Sequence, residues 1–391
     1  MYLLEHDAKE LLAQHGIPVP PGCLIGADET IHRLALPPGP WIVKGQIGAG
    51  GRGKAGLVRK AATLQDITDH ANAILGNTVK GRRVNAIRVE RQVEAAEETY
   101  LAFLIDPAAG GVRVIMSAQG GVDIENLSPA LVHSEVAPPE RAALEACVQR
   151  LAAAIPGTKG RALRDAGERL TQVFLGQEAL LLEINPLFVK TDASWIAGDA
   201  KMITDDNALV RQPALQELLG QRAAAYPETV LKLKHGFDYV VVDPDGEIGL
   251  LTTGAGLSMM LIDELRALGL KPYNFLDVRT GGLRGETTRL VQVLRWIAEG
   301  HKVRVLLINI FAGITDLGEF SRLLIAALAK VPQLRVPVVA RLVGNGLPAA
   351  REVLQTAGVA LHTDLGSALA EVRKHLATGN GLWEKSHNSS P

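Results

Sequence analysis

The sequence has little of what several classes of protein depend on. Only two of its 391 residues are cysteines, which excludes a disulfide framework and a zinc cluster and favours a reducing cytoplasm. Its formal net charge is −1, so it carries no electrostatic footprint for nucleic acid or an anionic membrane. No run of residues is apolar for long enough to span a bilayer, and charged residues interrupt the N-terminal segment, so we expect no signal peptide there.

Several catalytic motifs are absent as well. The chain has no G-x-S-x-G nucleophile elbow and no G-x-x-x-x-G-K-[ST] phosphate loop. Its ten histidines are scattered without the spacing of a metal site. Aromatic residues make up only 4% of the chain, whereas there are 40 glycines. We therefore expect an aliphatic core, with glycine wherever the backbone must approach another group closely.

The hydrophobic pattern divides the chain into two halves of different fold class. The first half begins with an amphipathic helix that ends near Gly16, and it mixes strands and helices without regular alternation, which indicates an α+β domain. The second half, from about Phe237, repeats strand, glycine and helix, which predicts a doubly wound parallel sheet in an α/β fold. The boundary is expected within 220–238. The predicted strands include 41–43, 86–90, 99–105, 111–117, 179–190, 194–200, 249–253, 303–311, 336–343 and 359–362.

A lysine and a glycine-rich stretch in the first half indicate a phosphate-binding site. Lys44 ends the apolar strand 41–43, and glycines 48, 50, 51 and 53 follow it. A lysine in that place would reach phosphate oxygens while glycine amides close over them. By spacing alone, an ordinary turn is an equally good interpretation of the loop.

Acidic and amide side chains interrupt several strands. Glu90 and Glu98 follow a strand and would hold ribose hydroxyls or an adenine amino group, although a solvated acidic hairpin is an alternative. Glu183 and Asn185 lie two apart on a predicted strand, so their side chains point to the same side. The next strand brings Asp199, and amide and carboxylate oxygens suit Mg²⁺ bound to nucleotide phosphates. A polar strand edge facing water is the simpler alternative.

Taken together, these segments resemble the β subunit of succinyl-CoA synthetase over nearly the whole chain. Their order and spacing are more specific than any one segment alone. The stretches that carry the resemblance are Glu5-His6-Asp7-Ala8-Lys9-Glu10-Leu11-Leu12, Gly50-Gly51-Arg52-Gly53-Lys54-Ala55-Gly56, Gly120-Gly121-Val122-Asp123-Ile124-Glu125, Glu183-Ile184-Asn185-Pro186-Leu187, Asp199-Ala200-Lys201, Asn207-Ala208-Leu209, Gly254-Ala255-Gly256-Leu257, Asn274-Phe275-Leu276-Asp277-Val278 and Asn309-Ile310-Phe311.

The resemblance implies an ATP-grasp domain over 1–230, a flavodoxin-like domain over 238–380 and a disordered tail over 381–391. It implies Mg²⁺-dependent use of ATP or GTP, CoA and a small acid, by an αβ or (αβ)₂ complex. In such a complex a partner α subunit binds CoA and is transiently phosphorylated on a histidine, and an acyl phosphate follows. The implied positions are Lys44, Gly51, Arg52, Gly53, Glu90, Val93 and Glu98 for nucleotide, Asn185 and Asp199 for Mg²⁺, and Gly313, Ile314 and Thr315 for the acid. Glu183 would orient the acceptor imidazole and stabilise its charged form.

The chain departs from the family's usual motifs mainly on the side of the acid. Gly48 stands where the family usually has His, and Thr253 where it usually has Asn in a substrate loop. Arg279 and Arg284 fall in a longer segment where it usually has Gly-Gly-Gly-Ala, and 316–318 replaces the usual Arg-Cys-Asp. We expect a small succinate-like acid, such as succinate, malate or a sulfonated acid, and our hypothesis is that it is not succinate. Arg279 or Arg284 would pair with its second anion, unless both lie on a solvated loop.

Two further classes of function remain open. A non-catalytic nucleotide or acyl-CoA sensor would also tolerate altered acid loops, although it would not need Lys44, Glu183, Asn185 and Asp199. A self-contained ATP-grasp ligase forming C–N bonds would not need the parallel-sheet half. The residues do not separate ATP from GTP, nor do they name the acid.

Overall fold

The structure is a computed structural model that describes residues 1–27, 29, 35–79, 82–94, 97–278, 285–313 and 315–378. The predicted tail lies outside the described residues, as do Arg279, Arg284 and Ile314. The chain forms two compact units, one of Met1–Tyr226 and one that begins at Pro227. Among the described residues, no helix has both the length and the apolar composition needed to cross a membrane.

The first unit combines antiparallel sheets with helices, as the mixed pattern of the first half predicts. Its elements are α1 (Glu5–Gln14), β1 (Gly22–Gly26), β2 (Trp41–Gln46), β3 (Val58–Ala61), α2 (Leu64–Ile74), β4 (Thr78–Val79), β5 (Arg82–Arg83), β6 (Ala86–Arg91), β7 (Glu97–Asp106), β8 (Gly111–Ser117), β9 (Val132–Ala137), α3 (Arg141–Ala153), α4 (Gly157–Gly176), β10 (Ala179–Val189), β11 (Trp195–Ala197), β12 (Ala200–Thr204) and α5 (Pro213–Gln221).

Two antiparallel sheets organise this unit. The described strands of the smaller sheet run in the order β1-β6-β2-β3, and those of the larger run β11-β10-β7-β8-β9 with β12 also paired to β10. Helix α2 packs its apolar face, including Ile67, Ala71 and Ile74, into the core of the smaller sheet. Helices α3 and α4 pack on the larger sheet. Each sheet thus keeps one face for its helix and its core.

Helix α1 confirms the predicted N-terminal helix, and Gly16 follows it with a φ of +72°. That left-handed conformation suits glycine and lets Ile17 N–H return to Leu12 O at 3.0 Å, which ends the helix. The apolar face is buried as predicted. Four polar residues of the helix are buried too, namely Glu5, His6, Asp7 and Lys9, whereas Glu10 is exposed.

Two predicted strands need correction. Strand β2 continues to Gln46, so Lys44 lies within the strand and does not follow it. The predicted strand 194–200 is two strands, because the chain turns at Gly198 and Asp199, whose N–H groups both donate to Pro186 O at 3.0 and 3.3 Å. A side chain at position 198 would collide with the Phe188 ring, which explains the glycine.

The second unit contains the predicted parallel sheet. Its elements are α6 (Pro227–His235), β13 (Asp238–Val241), β14 (Ile248–Thr252), α7 (Ala255–Ala267), β15 (Asn274–Asp277), α8 (Thr288–Ala298), β16 (Val305–Ala312), α9 (Leu317–Ala329), β17 (Val338–Gly344), α10 (Leu347–Thr356), β18 (Ala360–His362) and α11 (Leu365–Thr378). Strands β14, β16, β17 and β18 pair in parallel in that order. Helices α7 and α11 pack on one face of the sheet, and α8, α9 and α10 on the other.

Strand β15 continues this sheet beside β14 through backbone and side-chain hydrogen bonds. Tyr273 N–H donates to Ile248 O at 2.8 Å and Val278 N–H to Thr252 O at 3.0 Å, and between them the Asn274 amide accepts from Leu250 N–H and donates to Leu250 O, both at 2.9 Å. On its other side β15 pairs antiparallel with β13. The order β15-β14-β16-β17-β18, with helices on both faces, is the doubly wound, flavodoxin-like arrangement. In α7, Leu261 and Leu265 are buried as the periodicity predicts, but Met260 is 41% exposed.

Candidate functional site

A cleft of about 2090 Å³ lies within the first unit. It is lined by the loop between β2 and β3, by the loop after β8, and by residues of β6, β7, β10 and β12. The structure brings together there all the residues that the sequence predicts for nucleotide, metal and catalysis in this half. They are Lys44, Gly51, Arg52, Gly53, Glu90, Val93, Glu98, Glu183, Asn185 and Asp199.

The floor of the cleft is a network of buried ion pairs. Glu5 from α1 accepts from Lys44 Nζ at 2.8 Å and pairs with Lys9 Nζ at 2.7 Å through the same Oε1 atom. Its Oε2 atom accepts from Arg52 Nη1 at 2.5 Å. Burial raises the pKa of Glu5, but Arg52, Lys44 and Lys9 outweigh burial and hold that pKa well below its usual range. Glu5 is therefore an anion that fixes the cations of the cleft.

Glu90 belongs to the same network. It accepts from Lys9 Nζ and from Arg88 Nε, both at 2.7 Å, and it pairs with Lys44 Nζ at 2.8 Å. Burial opposes ionisation, yet the charge of Lys44 followed by that of Lys9 lowers the pKa of Glu90 below its ordinary value. In this conformation Glu90 orients Lys44, and its contact with nucleotide stays a prediction.

Lys44 and Arg52 are cations held by protein carboxylates. Burial lowers the pKa of Lys44, but Glu5 and Glu90 outweigh it, so the pKa lies above its ordinary value. Lys44 Nζ also donates to Gly198 O at 3.0 Å, and Arg52 Nη2 donates to Asp199 Oδ1 at 2.5 Å. Both cations stay charged and line the cleft, as binding a phosphate requires.

The two predicted metal ligands come from neighbouring backbone. Asn185 N–H donates to Asp199 O at 3.3 Å, which brings the two residues side by side. Asn185 Oδ1 accepts from Gly121 N–H at 2.7 Å and its Nδ2 donates to Val122 O at 3.0 Å, so the loop after β8 orients the amide. The Asp199 side chain is 31% exposed, although burial still raises its pKa against the charge of Arg52.

The side-chain oxygens of Asn185 and Asp199 suit Mg²⁺ that is also bound by phosphate better than they suit a metal ion whose ligands all come from protein. Among the described residues, no group of three or more His, Cys, Asp and Glu side chains could hold a metal ion. One amide oxygen and one carboxylate oxygen remain, and Mg²⁺ is commonly held by one or two such ligands together with phosphate oxygens and water. Asn185 and Asp199 therefore suit a cation that arrives with a nucleotide.

Glu183 lies two residues before the predicted ligand Asn185 on β10, opposite a lysine of the neighbouring strand. It pairs in register with Lys201 of β12, and Lys201 Nζ lies 3.6 Å from its Oε2 atom. Lys201 also lies over the Tyr2 ring, 5.9 Å from its centre. Burial raises the pKa of Tyr2 to about 12, with Arg52 opposing and Glu183 adding to the shift. Tyr2 therefore stays a neutral phenol beside Glu183 at ordinary pH.

The predicted acid-binding residues belong to the second unit. Thr253 follows β14, and Gly313 and Thr315 follow β16, so they lie on neighbouring loops at the carboxyl edge of the parallel sheet. Gly254, with a φ of +83°, starts α7 and donates its N–H to Asp277 Oδ1 at 2.8 Å. Ligands of doubly wound sheets bind at this edge. Ile314 and Arg279 lie outside the described residues.

Sequence reasoning missed Glu5, Lys9 and Tyr2 as members of the site. Glu5 and Lys9 are spaced as neighbours on one helical turn, and a charged pair on an amphipathic helix is typical of a solvated face. The sequence contained one signal for Glu5 and Lys9, because both lie in the first of the stretches that carry the family resemblance. Tyr2 has no comparable signal, because its contacts to the glycine loop and to Lys201 join distant parts of the chain.

Comparison with known proteins agrees with both units. Residues 2–189 match a family described as an ATP-grasp domain, and residues 251–374 match one described as CoA-ligase. The β subunit of the GDP-forming succinate–CoA ligase of Thermus thermophilus is 37% identical over 361 residues, which cover 91% of this chain and 93% of the relative. The ADP-forming β subunit of Chloroflexus aggregans is 35% identical over 361 residues, 90% of this chain and 93% of the relative.

Solved structures of known proteins share the fold over almost the whole chain. One of them is ATP citrate lyase from Methanothrix soehngenii in complex with citrate and coenzyme A, with a TM-score of 0.70 and 19% identity. The similarity covers 95% of this chain and 99% of that chain. At this identity the comparison shows a common fold.

Proposed function

Since the chain belongs to the family of succinate–CoA ligase β subunits, which are CoA ligases, we propose that it is the β subunit of an ADP-forming acid–CoA ligase. The reaction joins a small carboxylic acid to CoA and converts ATP to ADP and phosphate. The observation that carries the proposal is the cleft of the first unit. It combines two charged cations, Lys44 and Arg52, with the oxygen ligands Asn185 and Asp199.

Each group has a role in phosphoryl transfer. Lys44 and Arg52 would bind the phosphates and stabilise negative charge as the terminal phosphoryl group moves. Glycines 51 and 53 would bring backbone N–H groups close to the phosphates. Val93 and Glu98, which line the same cleft, would contact the nucleoside. Asn185 and Asp199 would hold Mg²⁺, which neutralises phosphate charge when it is bound.

Glu183 would act on the group that accepts the phosphoryl. In this proposal the acceptor is a histidine of a partner α subunit that also binds CoA, and Glu183 would orient its imidazole. The carboxylate of Glu183 is 22% exposed and Lys201 restrains it without consuming both oxygens. Acyl phosphate formation and attack by the CoA thiol would follow, so the chain alone would not complete the reaction.

The acid is proposed to be a small diacid or sulfonated acid. The altered positions follow two strands at the carboxyl edge of the second unit, with Thr253 directly after β14 and 316–318 at the cap and first turn of α9. The anion clamp by Arg279 or Arg284 stays a prediction, since neither is described. Unchanged KM values for every accepted acid in the Arg279→Ala and Arg284→Ala variants would contradict it.

The test is acid-dependent ADP release by the chain together with its α-type partner, ATP, Mg²⁺ and CoA. The panel contains succinate, malate, other small diacids and short sulfonated acids. We expect turnover with one preferred acid, loss of turnover in Glu183→Gln with nucleotide binding retained, and normal turnover in the surface control Glu145→Gln. No release with any acid, despite measurable Mg·ATP binding, would favour a non-catalytic sensor.

A further inference from the structure

A polar row crosses the parallel sheet of the second unit at its carboxyl end. Thr252, Asn309, Arg341 and His362 are register partners on β14, β16, β17 and β18. Two residues earlier on β16 and β17, Leu307 and Val339 pack against α7 and α11. Because side chains alternate along a strand, Asn309 and Arg341 continue that same face to the edge of the sheet.

Two nitrogen atoms of this row are buried without a hydrogen-bond partner among the described residues. They are Nδ2 of Asn309, whose side chain is fully buried, and Nε2 of His362. A buried donor with no acceptor costs free energy, and such groups are rare in folded proteins. The Asn309 amide is fixed by its other end, because its Oδ1 accepts from Arg341 Nη1 at 3.0 Å.

Arg341 lies on the strand between these two residues, and its guanidinium carries several N–H donors. Its guanidinium lies over the Phe311 ring at 4.4 Å, and its Nε donates to Thr363 O at 3.3 Å. Within the described part of the chain, these contacts and the one to Asn309 leave further N–H groups of the guanidinium for a ligand. No carboxylate of the described residues forms an ion pair with Arg341, although the charge of Asp364 reaches it. Phe311 is 43% exposed, so the guanidinium lies next to solvent.

We propose that Arg341, Asn309 and His362 form a binding site for a carboxylate of the acid substrate. The identification of this ligand as the acid substrate rests on the proposed function. A carboxylate accepts paired N–H bonds from a guanidinium, and its remaining lone pairs would accept from Asn309 Nδ2 and from His362 Nε2 in the tautomer that carries a proton there. A carboxylate that is paired with an arginine is a weaker nucleophile. The site therefore suits the carboxylate of a diacid that does not react.

Direct binding to the full chain tests this site without requiring turnover. NMR titration would measure the Kd of succinate and, as a matched monoacid, of butanoate. We expect the chain to bind succinate, as a simple dicarboxylate probe, more tightly than butanoate, and Arg341→Met to raise the Kd of succinate by about tenfold or more while leaving that of butanoate little changed. His362→Leu should weaken succinate binding less. Arg335→Met is the control, because Arg335 is exposed and its Nε donates to Pro332 O at 3.1 Å.

The outcomes separate the site from the proposed function. Equal succinate affinity in Arg341→Met and the parent chain, with folding confirmed by the melting temperature and by Mg·ATP binding, would overturn the site. So would failure of the parent chain to bind succinate or malate. If Arg341→Met does not fold, Arg341→Lys keeps the charge and must still weaken binding. Selective succinate binding without any turnover in the ligase assay would refute the proposed function and leave the site standing.

Discussion

Glu5 connects the N-terminal helix to the cations of the cleft. Its carboxylate contacts Lys9, Lys44 and Arg52, and only 1% of its side chain is exposed. Removal of one partner from a buried ion cluster leaves the others uncompensated in a medium of low polarity. The same carboxylate also sets the position of the two cations proposed to bind phosphate. Glu5 thus contributes to stability and to the site through the same contacts.

We expect Glu5→Gln to destabilise the first unit by about 3–5 kcal/mol and to weaken Mg·ATP binding. Chemical denaturation of the full chain and calorimetric titration with Mg·ATP would measure the two effects. The control is Glu10→Gln, because the Glu10 side chain is 52% exposed and lies 3.7 Å from Arg88. Equal effects of the two substitutions would refute the role given to Glu5.

His6 is a buried histidine that the fold keeps neutral. Burial, followed by the charges of Arg88 and Arg222, lowers its pKa to about 3, and its Nδ1 lies 2.6 Å from Arg88 Nη1. An unfolded histidine titrates near ~6.5. The unfolded chain therefore takes up a proton below that pH while the folded chain does not, and the contribution of His6 to stability is complete above ~6.5 and lost as the pH falls toward 3.

The expected loss is about 1 kcal/mol for each pH unit below ~6.5. His6→Gln keeps an acceptor for Arg88 but does not titrate, so its stability should fall less between pH 6.5 and 5 than that of the parent chain. Hydrogen exchange of the segment 1–14, measured by mass spectrometry, reports this unit separately. His15→Gln, at an exposed position, should lose stability as the parent chain does. An identical pH dependence in His6→Gln would contradict the assignment.

At the scale of elements, the loop after β8 joins the candidate metal ligands to the larger sheet. Gly121 has a φ of +71°, and a Cβ there would overlap the carboxylate end of the Glu98 side chain, whereas a Cβ at Gly120 would overlap the backbone of Thr99 in β7. Its N–H donates to Asn185 Oδ1, so its position determines where the amide points. The loop therefore depends on glycine both for its backbone conformation and for close approach to β7.

Gly121→Ala should weaken Mg·ATP binding, because the added Cβ would displace the carboxylate of Glu98, which is proposed to contact the nucleoside. Gly110→Ala is the matched control: its φ is +68° and nothing lies within 4 Å of an added Cβ. Both variants carry the backbone strain of a left-handed alanine, of order ~1 kcal/mol. Calorimetric titration should show reduced affinity for Gly121→Ala alone, and equal affinities in the two variants would count against the role of Glu98 beside this loop.

The elements also show where sequence reasoning succeeds and where it stops. The strands 111–117 and 179–190 were predictable because apolar and β-branched residues mark them, and the structure has them as β8 and β10. The end of β2 was not, because Lys44 and Gln46 are buried polar residues that interrupt an apolar run. The side-chain hydrogen bonds of Asn274 were not predictable either, since their partner Leu250 lies on another strand. Local pattern gives element type, whereas polar partners depend on tertiary contacts.

For the whole molecule, the change in hydrophobic pattern near Phe237 predicted the order of two domains of different fold class. The residues of the candidate site could be named from the family resemblance, but their partners could not. Glu90 was expected to contact nucleotide, and the structure gives it Lys9 from α1, far away in sequence. Residues from the two ends of the first unit contact each other, and these contacts determine where the chain can be divided into fragments that fold.

Tyr226 and Arg222, at the end of the first unit, bind the buried Asp7 side chain of the N-terminal helix. Tyr226 Oη donates to Asp7 Oδ2 at 2.5 Å and accepts from Leu4 N–H at 3.0 Å, while Arg222 Nε lies 3.1 Å from Asp7 Oδ1. The Asp7 side chain is fully buried. Without these partners a buried carboxylate would remain unpaired at the base of α1, at a cost of about 3–5 kcal/mol.

We therefore expect residues 1–230 to fold alone and bind Mg·ATP, and residues 1–220 to be destabilised although they keep every residue that lines the cleft. Thermal denaturation and Mg·ATP titration of the two fragments would show the difference. Tyr226→Phe in the full chain removes only the hydroxyl and should give part of the same loss, which separates the bond to Asp7 from the missing segment. If the shorter fragment proved as stable as the longer one, Asp7 would not need Tyr226 and Arg222, and the first unit would close without them.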